Sequence, residues 1–124
     1  MRFLTTLGLL SVLLLSVGCA QLSIWEYARN GNTEGVRKTL DADPGLVNAP
    51  HLDAIGTDYD NRWSPLRYAV EAGRYNTAEE LLERGADPLQ PAHGGFTPYE
   101  ASKGDSKMER MLREAIEKSG KPLP

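Results

Sequence analysis

The stretch Ser64-Pro-Leu-Arg-Tyr-Ala-Val-Glu-Ala-Gly-Arg-Tyr-Asn-Thr-Ala-Glu-Glu-Leu-Leu-Glu-Arg-Gly-Ala-Asp-Pro88 decides how the chain folds. Ser64 is a residue type that caps a helix start with its side chain. Pro65 follows at the first helical position, where a missing N–H costs nothing. Ala69 and Val70 continue the helix, and Gly73 stands where a left-handed residue ends it. A second helix then carries Ala78, Leu81 and Leu82 at helical spacing as far as Gly85. The opening recurs: Thr97-Pro98-Tyr99 repeats Ser64-Pro65-Leu66 at a distance of 33 residues. A period in that range marks a helical unit too thin to bury its own apolar side, which must stack on its neighbours.

The stretch from Ser64 to Pro88 closely resembles a full ankyrin repeat, with Arg67 where the family usually has His. Upstream, Tyr27-Ala28-Arg29-Asn30-Gly31-Asn32 leads through Val36 and Leu40 to Asp43-Pro44-Gly45-Leu46-Val47-Asn48, which resembles a first repeat with a Pro-containing turn. Downstream, Thr97-Pro98-Tyr99-Glu100-Ala101 leads through Gly104 to Met108, Met111 and Leu112, with about two residues fewer than the family pattern in the first helix. The resemblance covers residues 22 to about 117 and is degenerate at both ends, as capping repeats are. It implies an all-α solenoid of about three helix-turn-helix repeats joined by hairpin loops, near 23–48, 64–88 and 97–117 within a domain 23–118, followed by a tail 119–124. It also implies a monomeric, non-catalytic protein that binds another protein.

Local chemistry agrees. Ser23 with Glu26, Thr77 with Glu80, Thr97 with Glu100 and Ser106 with Glu109 all have capping-box spacing. Gly31, Gly73, Gly85 and Gly120 fall where helices should end. Val36 with Leu40, and Met108 with Met111, Leu112 and Ala115, read as core stripes. Ala69, Ala72, Ala78 and Ala101 are small where paired helices approach closely. No alternating strand pattern of useful length is present.

A length of 124 residues supports one domain, and 25% charged with 40% hydrophobic residues is an ordinary globular balance. Fourteen basic against seventeen acidic residues give a net charge of -3 with no basic stripe, which argues against a nucleic-acid partner. One cysteine excludes an internal disulfide and a four-cysteine zinc site, and His51 and His93 alone supply little for a metal. Asp58-Tyr59-Asp60-Asn61 has the start of a calcium loop but lacks its turn Gly and final Glu. No nucleophile elbow, zinc-binding helix motif or phosphate-cradling loop is present, so neither catalysis, a metal nor a cofactor is expected.

The N-terminus is a different material. Arg2 is the only charge before an apolar run from Leu7 to Val17, too short to span a bilayer as a helix and suited to an export signal. Leu15-Ser16-Val17-Gly18-Cys19 resembles the lipobox of bacterial lipoproteins, although Ser16 departs from the favoured Leu. This resemblance implies a signal peptide over 1–18, lipidation of Cys19 and a short tether over 19–22. Ala20 resembles the outer-membrane class, with the domain on the periplasmic face. Gly18-Cys19-Ala20 also fits an ordinary cleavage site.

Between Asn48 and Ser64 lie fifteen residues, 49–63, roughly twice the usual connection. A loop this long that mixes Leu52, Ile55, Tyr59 and Trp63 with Asp53, Asp58 and Asp60 suits partner contact, or packing on its own repeat. Trp63 and Phe96 each precede a Ser/Thr-Pro step, 33 residues apart, so stacking should place one above the other. They either anchor a partner or fold back over the core. Gly94-Gly95 reads as a tight hairpin turn. The expected partner-binding residues are Tyr59, Asp60, Asn61, Trp63, Glu71, His93 and Phe96, facing a protein of the bacterial envelope. An inhibitor of a periplasmic toxin and a structural lipoprotein are the alternatives.

Overall fold

Among the described residues, every α-helix but one begins where a side chain accepts a free backbone N–H of the first turn. The computed structural model describes residues 23–51, 62–92 and 94–124. The lipobox-like segment with Cys19 lies outside them. At Ser23 the expected capping box forms: the Glu26 N–H donates to Ser23 Oγ at 3.4 Å, and the Ser23 N–H donates to the Glu26 carboxylate at 2.9 Å. Helix α1 (Ile24–Asn30) ends at Gly31, whose φ of 74° is left-handed. Helix α2 (Thr33–Ala42) is capped by the Asn32 side chain and runs into a 3-10 turn, Pro44–Asn48. Helices α3 (Pro65–Glu71) and α4 (Tyr75–Glu83) form a second pair, α5 (Pro98–Ala101) and α6 (Ser106–Lys118) a third. Pro65 and Pro98 sit in the first turn of α3 and α5. Among the described residues there is no strand.

Two helix starts differ from their capping-box spacing. Helix α4 begins at Tyr75, two residues before Thr77, because the left-handed Gly73 lets the Arg74 N–H bond back to Ala69 O at 2.8 Å. Thr77 is therefore buried within the helix, where its hydroxyl bonds the Thr33 hydroxyl at 2.8 Å. Helix α6 takes Asp105 as its cap, accepting the Met108 N–H at 3.1 Å, and Ser106 is its first residue. A carboxylate suits the positive end of a helix, and Asp105 also accepts the Tyr75 hydroxyl at 2.7 Å, which fixes its orientation.

The first helices of the pairs, α1, α3 and α5, pack side by side in one layer, and α2, α4 and α6 pack in a second. Between the layers lies one core: Ile24, Ala28, Val36, Leu40, Leu66, Ala69, Ala78, Leu81, Tyr99, Met108, Leu112 and Ile116 are all buried. The last helix presents Met108, Leu112 and Ile116, an i, i+4 ridge, while Met111 and Ala115 lie half-buried beside it. Close approach requires small residues. A Cβ on Gly35 would stand 2.6 Å from the Tyr27 ring, so only glycine lets α1 and α2 meet. The outer layer is closed between α2 and α4 by ions: Glu80 accepts from Arg37 at 3.1 Å and from Arg84 at 3.3 Å, while Arg84 reaches Asp41. Asn48 joins the pairs below, donating to Gly85 O and accepting the Asp87 N–H at 2.8 Å.

Candidate functional site

The two connections between the helix pairs are closed by the same rung. The His51 N–H donates to Trp63 O at 3.0 Å, and the Ala92 N–H donates to Phe96 O at 2.9 Å. Trp63 and Phe96 hold equivalent positions, one residue before the caps Ser64 and Thr97. The second hairpin encloses only 93–95, turned by Gly94 and Gly95, each at φ 86°. The first encloses 52–62, which makes Ala49–His51 and Trp63 its stem.

A continuous line of side chains braces these stems against the helices. The Trp25 indole N–H of α1 donates to Ala49 O at 2.9 Å, and the indole stacks on the His51 ring at 4.6 Å between centroids. A 2.8 Å hydrogen bond joins His51 Nδ1 to the Tyr68 hydroxyl of α3. Burial pushes the Tyr68 phenol above its ordinary range, against the opposing charge of Arg29, so it stays protonated at neutral pH. Trp63 meets Tyr68 edge-on at 5.1 Å.

Arg67 completes the line. Its guanidinium lies 4.8 Å from the Trp63 ring centroid, donates to the Glu71 carboxylate at 2.9 Å, and reaches Phe96 O at 3.3 Å and Thr97 O at 3.4 Å. With its side chain only 11% exposed, it is a half-buried cation whose planar group is shared among an aromatic face, a carboxylate and two carbonyls. Arg67 thereby ties the first hairpin to the second.

Of the expected binding residues, the structure brings Trp63, Glu71 and Phe96 together through Arg67. Trp63 is half-buried by its contacts with Tyr68 and Arg67, and Glu71 is exposed at the end of α3. Phe96 is 59% exposed, with its backbone held and its ring presented to solvent. Tyr59, Asp60, Asn61 and His93 lie outside the described residues. The sequence reading missed Trp25, His51 and Tyr68 as the brace and Arg67 as its bridge. Only Arg67 left a signal, standing four residues after Trp63 and four before Glu71, where helical neighbours meet. Among the described residues no three His, Cys, Asp or Glu side chains gather to hold a metal, and no helix is long and apolar enough to cross a membrane.

Residues 61–92 match the ankyrin-repeat family, and this segment includes Trp63 of the first stem, α3, α4 and the start of the second hairpin. The chain is similar to oxysterol-binding protein-related protein 1 of Mus musculus, 37% identical over 68 residues, which is 54% of this chain and 7% of that protein. The Rattus norvegicus protein of the same name is 35% identical over the same length, again 7% of it. The mitochondrial disaggregase of Bos taurus is 32% identical over 80 residues, 57% of this chain and 12% of that protein. The chain thus spans a small part of each of these relatives. Ankyrin repeats are in general protein–protein interaction modules, not catalysts.

Proposed function

We propose that this chain, built around the ankyrin repeat at 61–92, is a stack of three such repeats that binds another protein through its hairpins and α3. The terminal pairs act as its degenerate caps. The observation that carries this reading is Phe96, a large apolar ring left in water at the stem of a hairpin that Arg67 and the Ala92–Phe96 rung hold in place. An exposed aromatic on a fixed backbone loses little freedom on binding, which is what an interface anchor needs. Trp63 and Glu71 extend the contact, and Tyr59, Asp60, Asn61 and His93 of the two loops enlarge it. The acidic loop favours a basic or mixed patch on the partner. Sterol binding and disaggregation, which the relatives' names carry, are not extended to this chain, because the shared segment is so small a part of those proteins.

The proposed setting is the bacterial envelope. It is supported by the apolar run Leu7 to Val17 and by the lipobox-like Leu15 to Cys19, where the sequence places its single cysteine. A lipid on Cys19 would stand four residues from the Ser23 cap, at most ~14 Å along an extended chain, and would hold the first repeat close to the bilayer. The partner then lies at the same membrane.

Pull-down from envelope extract tests the binding face. Wild-type protein should retain a specific partner that Phe96→Ala loses while melting at the same temperature. Equal capture by both would refute the Phe96 face. Fractionation tests the anchor separately: Cys19→Ala should leave the membrane fraction, and a variant that stays membrane-bound would rule lipidation out.

A further inference from the structure

Helix α4 meets its two outer neighbours in opposite ways. Toward α2 its Glu80 is neutralised by Arg37 and Arg84, and the junction is closed. Toward α6 it leaves a groove of about 400 Å³, lined by Leu82, Met111 and Ala115 and flanked by Glu79, Glu83 and Glu114. Among the described residues no cation pairs with any of these three carboxylates, although Lys118 stands at the groove's end. Leu82, Met111 and Ala115 are half-buried, so the floor is apolar, and Met111 is a side chain that adapts to what it touches.

We propose that this outer groove is a second docking site, distinct from the hairpin face, for a short basic amphipathic segment of a partner protein. An apolar side chain of that segment fills the floor over Met111, and flanking Lys or Arg side chains pair with Glu79, Glu83 and Glu114. Charge decides the occupant. An anionic lipid surface or an acidic peptide meets three carboxylates of its own sign, whereas a basic segment supplies the cations that Arg37 and Arg84 supply at the closed junction.

Methyl-methionine NMR on the full chain in zwitterionic nanodiscs tests this, because Met111 lines the groove while Met108 is fully buried. Titration with a synthetic two-turn Leu/Lys amphipathic peptide should shift the Met111 methyl in a saturable way and leave Met108 nearly still. A Leu/Glu peptide of the same pattern should shift neither. Glu79→Lys with Glu83→Lys and Glu114→Lys, all exposed and without an ion pair among the described residues, should keep the fold and weaken the Leu/Lys peptide by about tenfold or more. A Met111 methyl that ignores the basic peptide, that responds equally to the acidic one, or whose response survives the charge reversal would overturn the proposal.

Discussion

The Arg67 guanidinium satisfies three kinds of partner at once: the face of Trp63, the carboxylate of Glu71 and two carbonyls of the second hairpin. A lysine carries the same charge but not the planar fork, so it can serve one of these at a time. Arg67→Lys should therefore lower stability by about 1–2 kcal/mol in urea denaturation, the cost of losing charge-assisted hydrogen bonds and the contact with the Trp63 face. The two hairpin aromatics should separate. Phe96→Ala changes stability by less than about 0.5 kcal/mol, as exposed positions do. Trp63→Ala costs about 1–2 kcal/mol, because Tyr68 and Arg67 both rest on its ring. The equivalent position of Trp63 and Phe96 was readable from their 33-residue spacing. Their different exposure was not, since it depends on Tyr68 meeting a ring five residues away and on a histidine and a tryptophan brought in from other elements.

At the scale of the helix, caps and outer-face ions set where each element starts and how it meets its neighbour. Ser64 is buried at 4% exposure and accepts the Arg67 N–H, so Ser64→Ala should cost about 1 kcal/mol by thermal denaturation. Glu80 gives a pH signature. The hydrogen bond from Arg37, reinforced by Arg84, holds its carboxyl below the ordinary value of 4.5 against the effect of burial. Its pKa is lower folded than unfolded, so its contribution is fully present above about 4.5 and disappears as pH falls through the depressed folded value. The urea midpoint of the wild type should drop across that acid window, and Glu80→Gln should show a smaller drop. Equal slopes would mean that the Arg37–Glu80–Arg84 ladder adds nothing to stability. Helix starts marked by Ser-Pro and Thr-Pro were legible, because a cap and a proline both restrict the backbone at one place. Those at Tyr75 and Ser106 were not: a left-handed glycine and a better acceptor, Asp105, moved the start away from the Ser/Thr-x-x-Glu spacing.

Across the whole molecule, stability comes from layers that touch only their neighbours, so a change in the middle pair is felt on both sides. Leu81 is fully buried in α4, and Leu81→Ala should cost about 2–5 kcal/mol of a total near 5–15, enough to unfold much of the protein at 37 °C. The stacked helical architecture was legible because a 33-residue period, paired glycines and apolar spacing all agree. The brace between the hairpins was hidden because it joins residues distant in sequence, Trp25 to His51 to Tyr68, that no local pattern connects.

That the stack leaves its hairpin edge for another protein is tested most directly by a photo-crosslinking amino acid placed in living cells at position 96, and for comparison at Arg110, exposed on α6. The account predicts one discrete protein adduct from position 96, absent from Arg110. Adducts from Arg110 with none from position 96 would contradict it.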